Sequence, residues 1–424
     1  MFTTPTKNPR MHQFQPGPKT NSEVHQAIDA VGASLLPVMR KIRRQMHAHP
    51  ELSMQELETT RFLREKLESL GFQTKTTPQA VGLTFDWETA PGAARRIGLR
   101  ADIDALPIQT ASTADYASQV AGVMHACGHD AHSAMMIGAA CILKSLHEQD
   151  LFDEPIAIRG ILQPAEETSA GAPYMLENGA ADDLAAALAL HVDPNLPSGF
   201  VASRCGPFTA GCDTIEVIVR GRSGHSARPY QAIDALHAAS SWLQLAYARL
   251  PRIHDCREPS VFTLGTFNAG VASNVVADTA KLTGTLRTVS DSVRLQLLDA
   301  LNSVSTSIEA GHGCRIDFKV SEFTPSLHND ARITEAAMRA ARQLLGDGAV
   351  ETIPLPSMGA EDFAFFCRKI PCCMFRLGTA GQRHAASSDY SSPLHSPDFD
   401  IDEDALVVGA KLLAACAIEL SGDK

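Results

Sequence analysis

Apolar residues recur with a helical period over 27–48 and 55–70, and the second run stops at Gly71, which enters the left-handed region without steric cost. Beyond it, short apolar runs alternate with longer helical ones. RIGLRADID at 96–104, IAIRGILQ at 156–163, AAALALHVD at 185–193 and CCMFRLG at 372–378 are apolar along most of their length, as strands buried on both faces are. The alternation predicts an α/β domain with a mostly parallel sheet. Polar residues gather at the ends of these runs: Asp102 and Asp104 close the first, Glu166 and Glu167 follow the second, and His191 closes the third. In open α/β sheets ligands collect beyond the carboxyl ends of the strands, so separate strands here deliver polar chemistry to one rim.

The middle of the chain has a different rhythm. DTIEVIVR at 213–220 alternates like a half-buried strand, 231–249 is an Ala/Leu-rich helix, 260–267 and 279–288 are strands, 291–309 is a helix and 314–321 a strand. This βαββαβ order predicts a ferredoxin-like lobe of about 110 residues. Buried α/β pattern resumes afterwards, with a helix at 331–345, so the lobe reads as an insertion. The expected division is a mobile tail at 1–26, a discontinuous catalytic domain at 27–208 and 323–424, and an inserted lobe at 209–322. Glu361 and Asp362 are expected to open a helix, where acidic residues are favoured anyway, which weakens any site role for them, and they stand outside the expected site set.

A chain of 424 residues is long enough for two domains, and 44% apolar with 20% charged residues is the balance of a soluble globular protein. The net charge of −11, with no basic cluster beyond KIRR at 41–44, argues against nucleic acid as a partner. No uninterrupted apolar run reaches the roughly 18 residues that span a bilayer, and the opening residues lack a secretory pattern, so a cytoplasmic protein without a membrane partner is expected. Ten scattered cysteines without CxxC spacing suggest reduced thiols, most of them small core residues.

HACGHDAH at 125–132 holds four potential ligands, His125, Cys127, His129 and Asp130, just before a helix of small apolar residues. Asp130 is placed to cap that helix, and its N-terminus favours a thiolate at Cys127. In QPAEE at 163–167, Pro164 stops the strand and two adjacent carboxylates emerge at the rim. One suits a metal, the other a water molecule as general base and then general acid. His191 ends a strand, and His395 lies in SSPLHSPDFD between prolines. Each residue alone is more often structural: a buried Cys, a solvated turn, a hydrogen-bonded His. Together Cys127, His129, Glu167, His191 and His395 are five S, N and O donors, enough for two divalent ions. Thiolate and imidazoles favour Zn²⁺, Mn²⁺, Co²⁺ or Ni²⁺ over Mg²⁺ or Ca²⁺. A Cys127–His129 nucleophilic pair is a rival reading, although residues two apart at a turn seldom align as nucleophile and base.

HAHPELSMQELETT at 47–60, RADIDALPI at 100–108, HACGHDAH, LQPAEE at 162–167, LHV at 190–192, SGHSARP at 223–229, GTLRT at 284–288 and GAEDFAF at 359–365 occur in this order. From about residue 40 to the C-terminus the chain resembles the metal-dependent amidohydrolases that include hippurate hydrolase, auxin-conjugate amidohydrolases and N-acetyl-diaminopimelate deacetylase. The resemblance implies two metal ions per subunit on the five donors, Glu166 as catalytic base, and Asp102 orienting a metal-site group. It also implies a lobe that dimerises, with His225 polarising the scissile carbonyl, often across the dimer, and with Asn274 and Arg287 holding the substrate carboxylate. The implied activity is hydrolysis of the amide bond of an N-acyl amino acid by metal-activated water. Dipeptidase or carboxypeptidase action, and a non-catalytic dimer that binds small amides, are the alternatives. Two departures stand out: HSARP carries Arg228 where many relatives have a small or apolar residue, and TSAGA at 168–172 replaces a glycine-rich stretch. The acyl group, the amino acid and the physiological metal are not legible.

Overall fold

The computed structural model describes residues 21–92, 95–381 and 392–422. Helices α1 (Asn21–Ala48) and α2 (Leu57–Ser69) come first. Residues 21–26, expected in the mobile tail, are helical, because Val24, Ala27, Ile28 and Val31 pack onto the main core and draw the helix out; residues 1–20 of that tail lie outside the described residues. Gly71 ends α2 in the left-handed region, at φ 84°.

The large sheet contains β1 (Gln73–Thr76), β2 (Leu83–Glu88), β3 (Arg96–Asp102), β4 (Ala157–Gln163), β5 (Leu184–Asp193), β6 (Val201–Ser203), β15 (Val350–Thr352) and β16 (Cys372–Gly378), in the order β1-β2-β4-β3-β5-β16-β6-β15. The central strands β4-β3-β5-β16 are parallel: Leu99 pairs with Gly160 on one side and Leu188 on the other, and Phe375 with Leu190. Antiparallel pairing of β2 with β4 and of β6 with β16 flanks them. Residues of β5 alternate between two cores. Leu188 and Leu190 face a core shared with α1, α3 (His129–Glu148), α7 (Ala331–Leu345) and α9 (Ala405–Gly422). Ala187 and Ala189 face the other side, with α4 (Gly171–Glu177), α8 (Ala364–Cys367) and the rings of Phe363 and Phe366.

Contrary to the expectation that no apolar run reaches a bilayer-spanning length, helix α9 has 18 residues at a mean hydropathy of 1.7, long and apolar enough to cross a membrane. It is a core helix instead: it packs on α1, α3 and α7, and its charges are paired, Lys411 with Asp29 and Glu419 with Arg339. All ten cysteines are free. Only Cys127, Cys372, Cys373 and Cys416 are buried, fewer than the small-core-residue reading expects, and Cys205 and Cys256 are exposed.

A second sheet lies between β6 and β15 in the chain. It is formed by β8 (Gly211–Arg220), β10 (Ser260–Ala269), β12 (Thr279–Thr288) and β13 (Arg315–Thr324) in the order β10-β12-β8-β13, antiparallel throughout. Helices α5 (Ala235–Arg249) and α6 (Asp291–His312) cover one face, where Ile215, Val217, Leu282 and Leu286 meet Ala239, Trp242, Leu297 and Leu301. The Trp242 indole N–H donates to Ser305 at 2.9 Å, so burial of the ring leaves no polar atom unpaired. Asp234 and Ser290 cap the two helices, accepting from the N–H of His237 and of Val293. This is the ferredoxin-like arrangement. Its last strand runs to Thr324, two residues past the expected end of the lobe, since Thr324 still pairs with Cys212. The two crossing segments run side by side as β7 (Gly206–Thr209) and β14 (Leu327–Asn329). A short pair, β9 (Gly224–His225) and β11 (Val275–Val276), extends from the lobe.

Candidate metal centre

Strands β3, β4 and β5 are neighbours, so the carboxyl ends that carry Asp102, the Glu166–Glu167 turn and His191 open on one rim. The N-terminus of α3 abuts the same rim. Gly128 precedes it at φ 86°, and a Cβ there would stand 2.4 Å from a methyl of Val192, so only glycine lets the Cys127–His129 turn close on β5. Asp130 does not cap α3. Gly128 holds the capping position with no side-chain bond, while Asp130 lies in the first turn and accepts from Arg43 at 3.1 Å and His47 at 2.8 Å. The buried Arg43, which also pairs with Asp400 and Glu403, claims that carboxylate and so holds α1 against α3.

His129 and His191 are each oriented by a bond on the far ring nitrogen, His395 by its backbone. His129 Nδ1 donates to the backbone O and carboxylate of Asp104, at 2.9 and 3.1 Å, leaving Nε2 directed into the rim. His191 Nδ1 donates to Val192 O at 2.7 Å, which presents its Nε2 3.3 Å from Cys127 Sγ. His395, at φ 63°, is tied by its N–H to Ala126 O at 2.8 Å and places Nε2 3.4 Å from Glu167 Oε1. Two three-donor groups result, Cys127–His129–His191 and Cys127–Glu167–His395, each with its donor atoms within 4.8 Å of one another and both using the same thiol. His129 Nε2 and Glu167 Oε1 are buried with no hydrogen-bond partner. Buried polar atoms without partners are costly, and two of them facing thiol and imidazole donors fit a divalent cation.

Charge balance supports the same reading. Burial pushes the Cys127 thiol far above its ordinary value, with the charge of His129 only partly opposing. The expected helix-terminus thiolate is therefore corrected: loss of water around a fully enclosed sulfur outweighs the helix dipole, and a cation is what makes a thiolate stable here. Burial pulls His129 down, but Asp102, Cys127 and Asp104 together hold it well above its usual range. Glu166 is raised by burial and by the nearby Glu361, Asp362 and Glu167, which suits a carboxyl that both takes and returns a proton.

Asp102 does not hold His129 directly; its Oδ2 is 3.8 Å from Nε2. Its Oδ1 instead accepts from His132 Nδ1 at 2.6 Å, and His132 Nε2 accepts the N–H of Val192 at 3.0 Å, beside His191. Asp104 is thus a working part that the sequence pattern left without a role, and His132, expected only to support the site or the helix, links Asp102 to the backbone beside His191. Glu361 and Asp362 were expected to open a helix, yet α8 begins only at Ala364 and both carboxyls are buried. Arg100, enclosed in the middle of the sheet, draws them in at 3.1 and 2.7 Å while also binding Asp102 at 2.7 Å. With Glu166 they form one acidic group within 4.8 Å. The readable signal was Arg100 itself: a cation inside an apolar strand requires buried counter-charges.

The lobe residues make other contacts. His225 is exposed in β9, its Nδ1 accepting the N–H of Ala227 at 3.1 Å, and Asn274 is exposed beside it, its carbonyl accepting the N–H of Ser226. Among the described residues, neither has a hydrogen bond or ion pair to the metal donors. Arg287 is half-buried and donates to Met358 O at 2.9 Å, across from the lobe to the segment that leads into Glu361.

Two domains, a rim of mixed S, N and O donors and a paired-glutamate turn define a metallohydrolase of the two-domain α/β class. The model of peptidase family M20/M25/M40 matches residues 98–419, and the chain belongs to that family. It is 35% identical to an N-acetylcysteine deacetylase of Bacillus subtilis, over 89% of this chain and 95% of the relative. It is 36% identical to an IAA-amino acid hydrolase ILR1-like protein of Arabidopsis thaliana, over 91% and 86% of the two chains. A crystal structure of a dinuclear metal-binding peptidase of family M20 from Bacillus subtilis superposes with a TM-score of 0.77 at 33% identity, covering 92% of this chain and 99% of that one.

Proposed function

We propose that this chain is a metal-dependent hydrolase that cleaves the amide bond of N-acyl amino acids, holding two divalent ions per subunit. The observation that carries the reading is the pair of three-donor groups sharing the Cys127 thiol, with Glu166 beside them. Cys127, His129, Glu167, His191 and His395 would hold the ions, and the borderline donor set fits Zn²⁺, Mn²⁺, Co²⁺ or Ni²⁺. Ions bound there supply Lewis acidity, lowering the pKa of water and polarising an amide carbonyl. Glu166 takes the proton from the attacking water and returns it to the leaving amine. Asp104 and Asp102 keep the ring nitrogens of His129 and His132 in the required tautomers.

His225 steadies the developing oxyanion, and Asn274 and Arg287 take the substrate carboxylate. Since His225 and Asn274 are exposed and, among the described residues, make no bond to the metal donors of their own chain, we infer a homodimer through the lobe in which a second subunit supplies them. The free state of all ten cysteines fits a reducing compartment, and we place the protein in the cytoplasm.

The test is a panel of acetyl, benzoyl and indole-acyl amino acids and dipeptides, assayed after chelation and after return of each ion. Turnover of N-acyl amino acids restored by one or more of the four ions is expected. Glu166→Gln is expected to keep its metal and lose about 10²-fold or more in kcat, whereas Glu167→Ala loses metal. Activity indifferent to chelation and blocked by iodoacetamide would return the Cys127–His129 nucleophile. Full metal content with no turnover of any amide would leave a binding protein, and peptides preferred over acyl amino acids would make it a peptidase.

A further inference from the structure

Glu56 is fully enclosed, 0% exposed, in a position the chemistry of the rim does not explain. It stands at the capping position of α2, yet makes no side-chain bond to that helix. Its carboxylate turns away and accepts the N–H of Ala165 at 2.8 Å, more than a hundred residues on. The second oxygen, Oε2, is buried without a partner. Burial also pushes this carboxyl up to about 7. A costly buried carboxyl that forgoes a helix cap and reaches a backbone N–H so far along the chain ties that N–H down.

Ala165 precedes Glu166 and holds φ 52°, a left-handed conformation that an alanine seldom adopts unless its surroundings impose it. The turn is fastened on every side. The Ala165 carbonyl accepts from the N–H of Ala170 and of Gly171, at 3.2 and 3.1 Å. A Cβ on Gly171 would sit 1.6 Å from Pro164 O, so the chain passes there in van der Waals contact. On the other flank, the Glu167 N–H donates to Asp104 Oδ2 at 3.0 Å, and Ser53 donates to the same oxygen at 2.7 Å. A buried carboxyl therefore grips the turn on each flank of Glu166: Glu56 holds the peptide between Pro164 and Ala165, and Asp104 holds the peptide between Glu166 and Glu167.

We propose that Glu56 is a positioning residue for the general base: through the Ala165 N–H it holds the strained turn that aims the Glu166 carboxylate. This rests on the reading of Glu166 as base. Misplacing a reacting group by about an ångström costs on the order of 10²-fold in rate, so the grip matters to kcat rather than to substrate affinity.

The experiment compares Glu56→Gln, Glu56→Asp and Glu56→Ala with Glu166→Gln, all as metal-loaded enzyme, measuring kcat, KM, metal content and melting temperature. Gln keeps an acceptor oxygen at the same reach and removes the charge; Asp keeps the charge and shortens the reach. The expected result is that Asp loses on the order of 10²-fold in kcat while Gln stays within about threefold of the parent, with KM and metal content held. Ala, where it folds, should resemble Asp. Gln as impaired as Asp, Asp at parental kcat, or kcat lost only in step with metal overturns the proposal. With Glu166→Gln severely impaired, such a result condemns Glu56 alone. Glu166→Gln turning over at the parental rate brings down the assignment of the base, and this proposal with it.

Discussion

Cys127 and His129 each hold a proton that a cation must displace. Burial keeps the thiol far above its usual value, and Asp102, Cys127 and Asp104 keep the imidazole charged beyond its own. Metal binding therefore releases protons, and the sign follows: apparent affinity weakens as pH falls, by about tenfold per pH unit for each proton displaced. Chelator competition between pH 6 and 8 measures this slope, and a flat profile would contradict the shared-thiol arrangement. Single residues also show how little side-chain type alone reveals. His129 and His132 lie three apart in one motif, yet one presents a free Nε2 to the rim, while the other spends both nitrogens on Asp102 and Val192.

Among elements, β3 does most to assemble the centre. Its Ile97, Leu99 and Ala101 lie in the main core, while Arg100 binds Asp102 in its own strand, Gln163 at the end of β4, and Glu361 and Asp362 from the segment before α8. This one guanidinium joins three parts of the fold that meet beside Glu166. Removing it strands three carboxyls in a dry interior. Arg100→Met is expected to cost roughly 3–5 kcal/mol of stability, read from denaturant unfolding, with protonation of the stranded acids as the partial relief. A loss under about 1 kcal/mol would mean that those acids are already neutral. The pattern of apolar runs made the central strands β3, β4, β5 and β16 and the six main elements of the lobe readable to within a few residues, but not β1, β2 or α9. It missed the helical start at Asn21 because that turn exists through packing on the core rather than through its own periodicity.

At the scale of the molecule, the lobe carries its own core and an uncovered edge. β10 pairs only with β12 among the described residues, and it leaves Val261 and Phe267 each 40% exposed, close to the 94% exposed Val271. An apolar edge strand is a ready template for a second chain. The proposed homodimer would bury it and bring His225 toward another subunit. Phe267→Lys is then expected to shift the sedimentation coefficient to that of a monomer at micromolar concentration. It should keep the metal while lowering kcat, because the carbonyl-polarising imidazole would leave with the partner. A monomeric variant with parental kcat would place His225 in its own subunit's site.

Residue type, order and period alone determined that the chain folds as an α/β body with a βαββαβ lobe, and that HACGHDAH, the Glu166–Glu167 pair, His191 and His395 are its chemically loaded positions. These follow from local rules: apolar period sets element type, and soft donors at strand ends are rarely accidental. Only the tertiary structure decided that Cys127 is shared by two donor groups, that Asp104 rather than Asp102 holds His129, that Glu361 and Asp362 gather beside Glu166, and that Glu56 accepts the N–H of Ala165 in the turn before it. Each of those facts is a contact between residues far apart in the chain. Distances of a few ångströms and the loss of water around a side chain come from packing, and no spacing along the sequence encodes them.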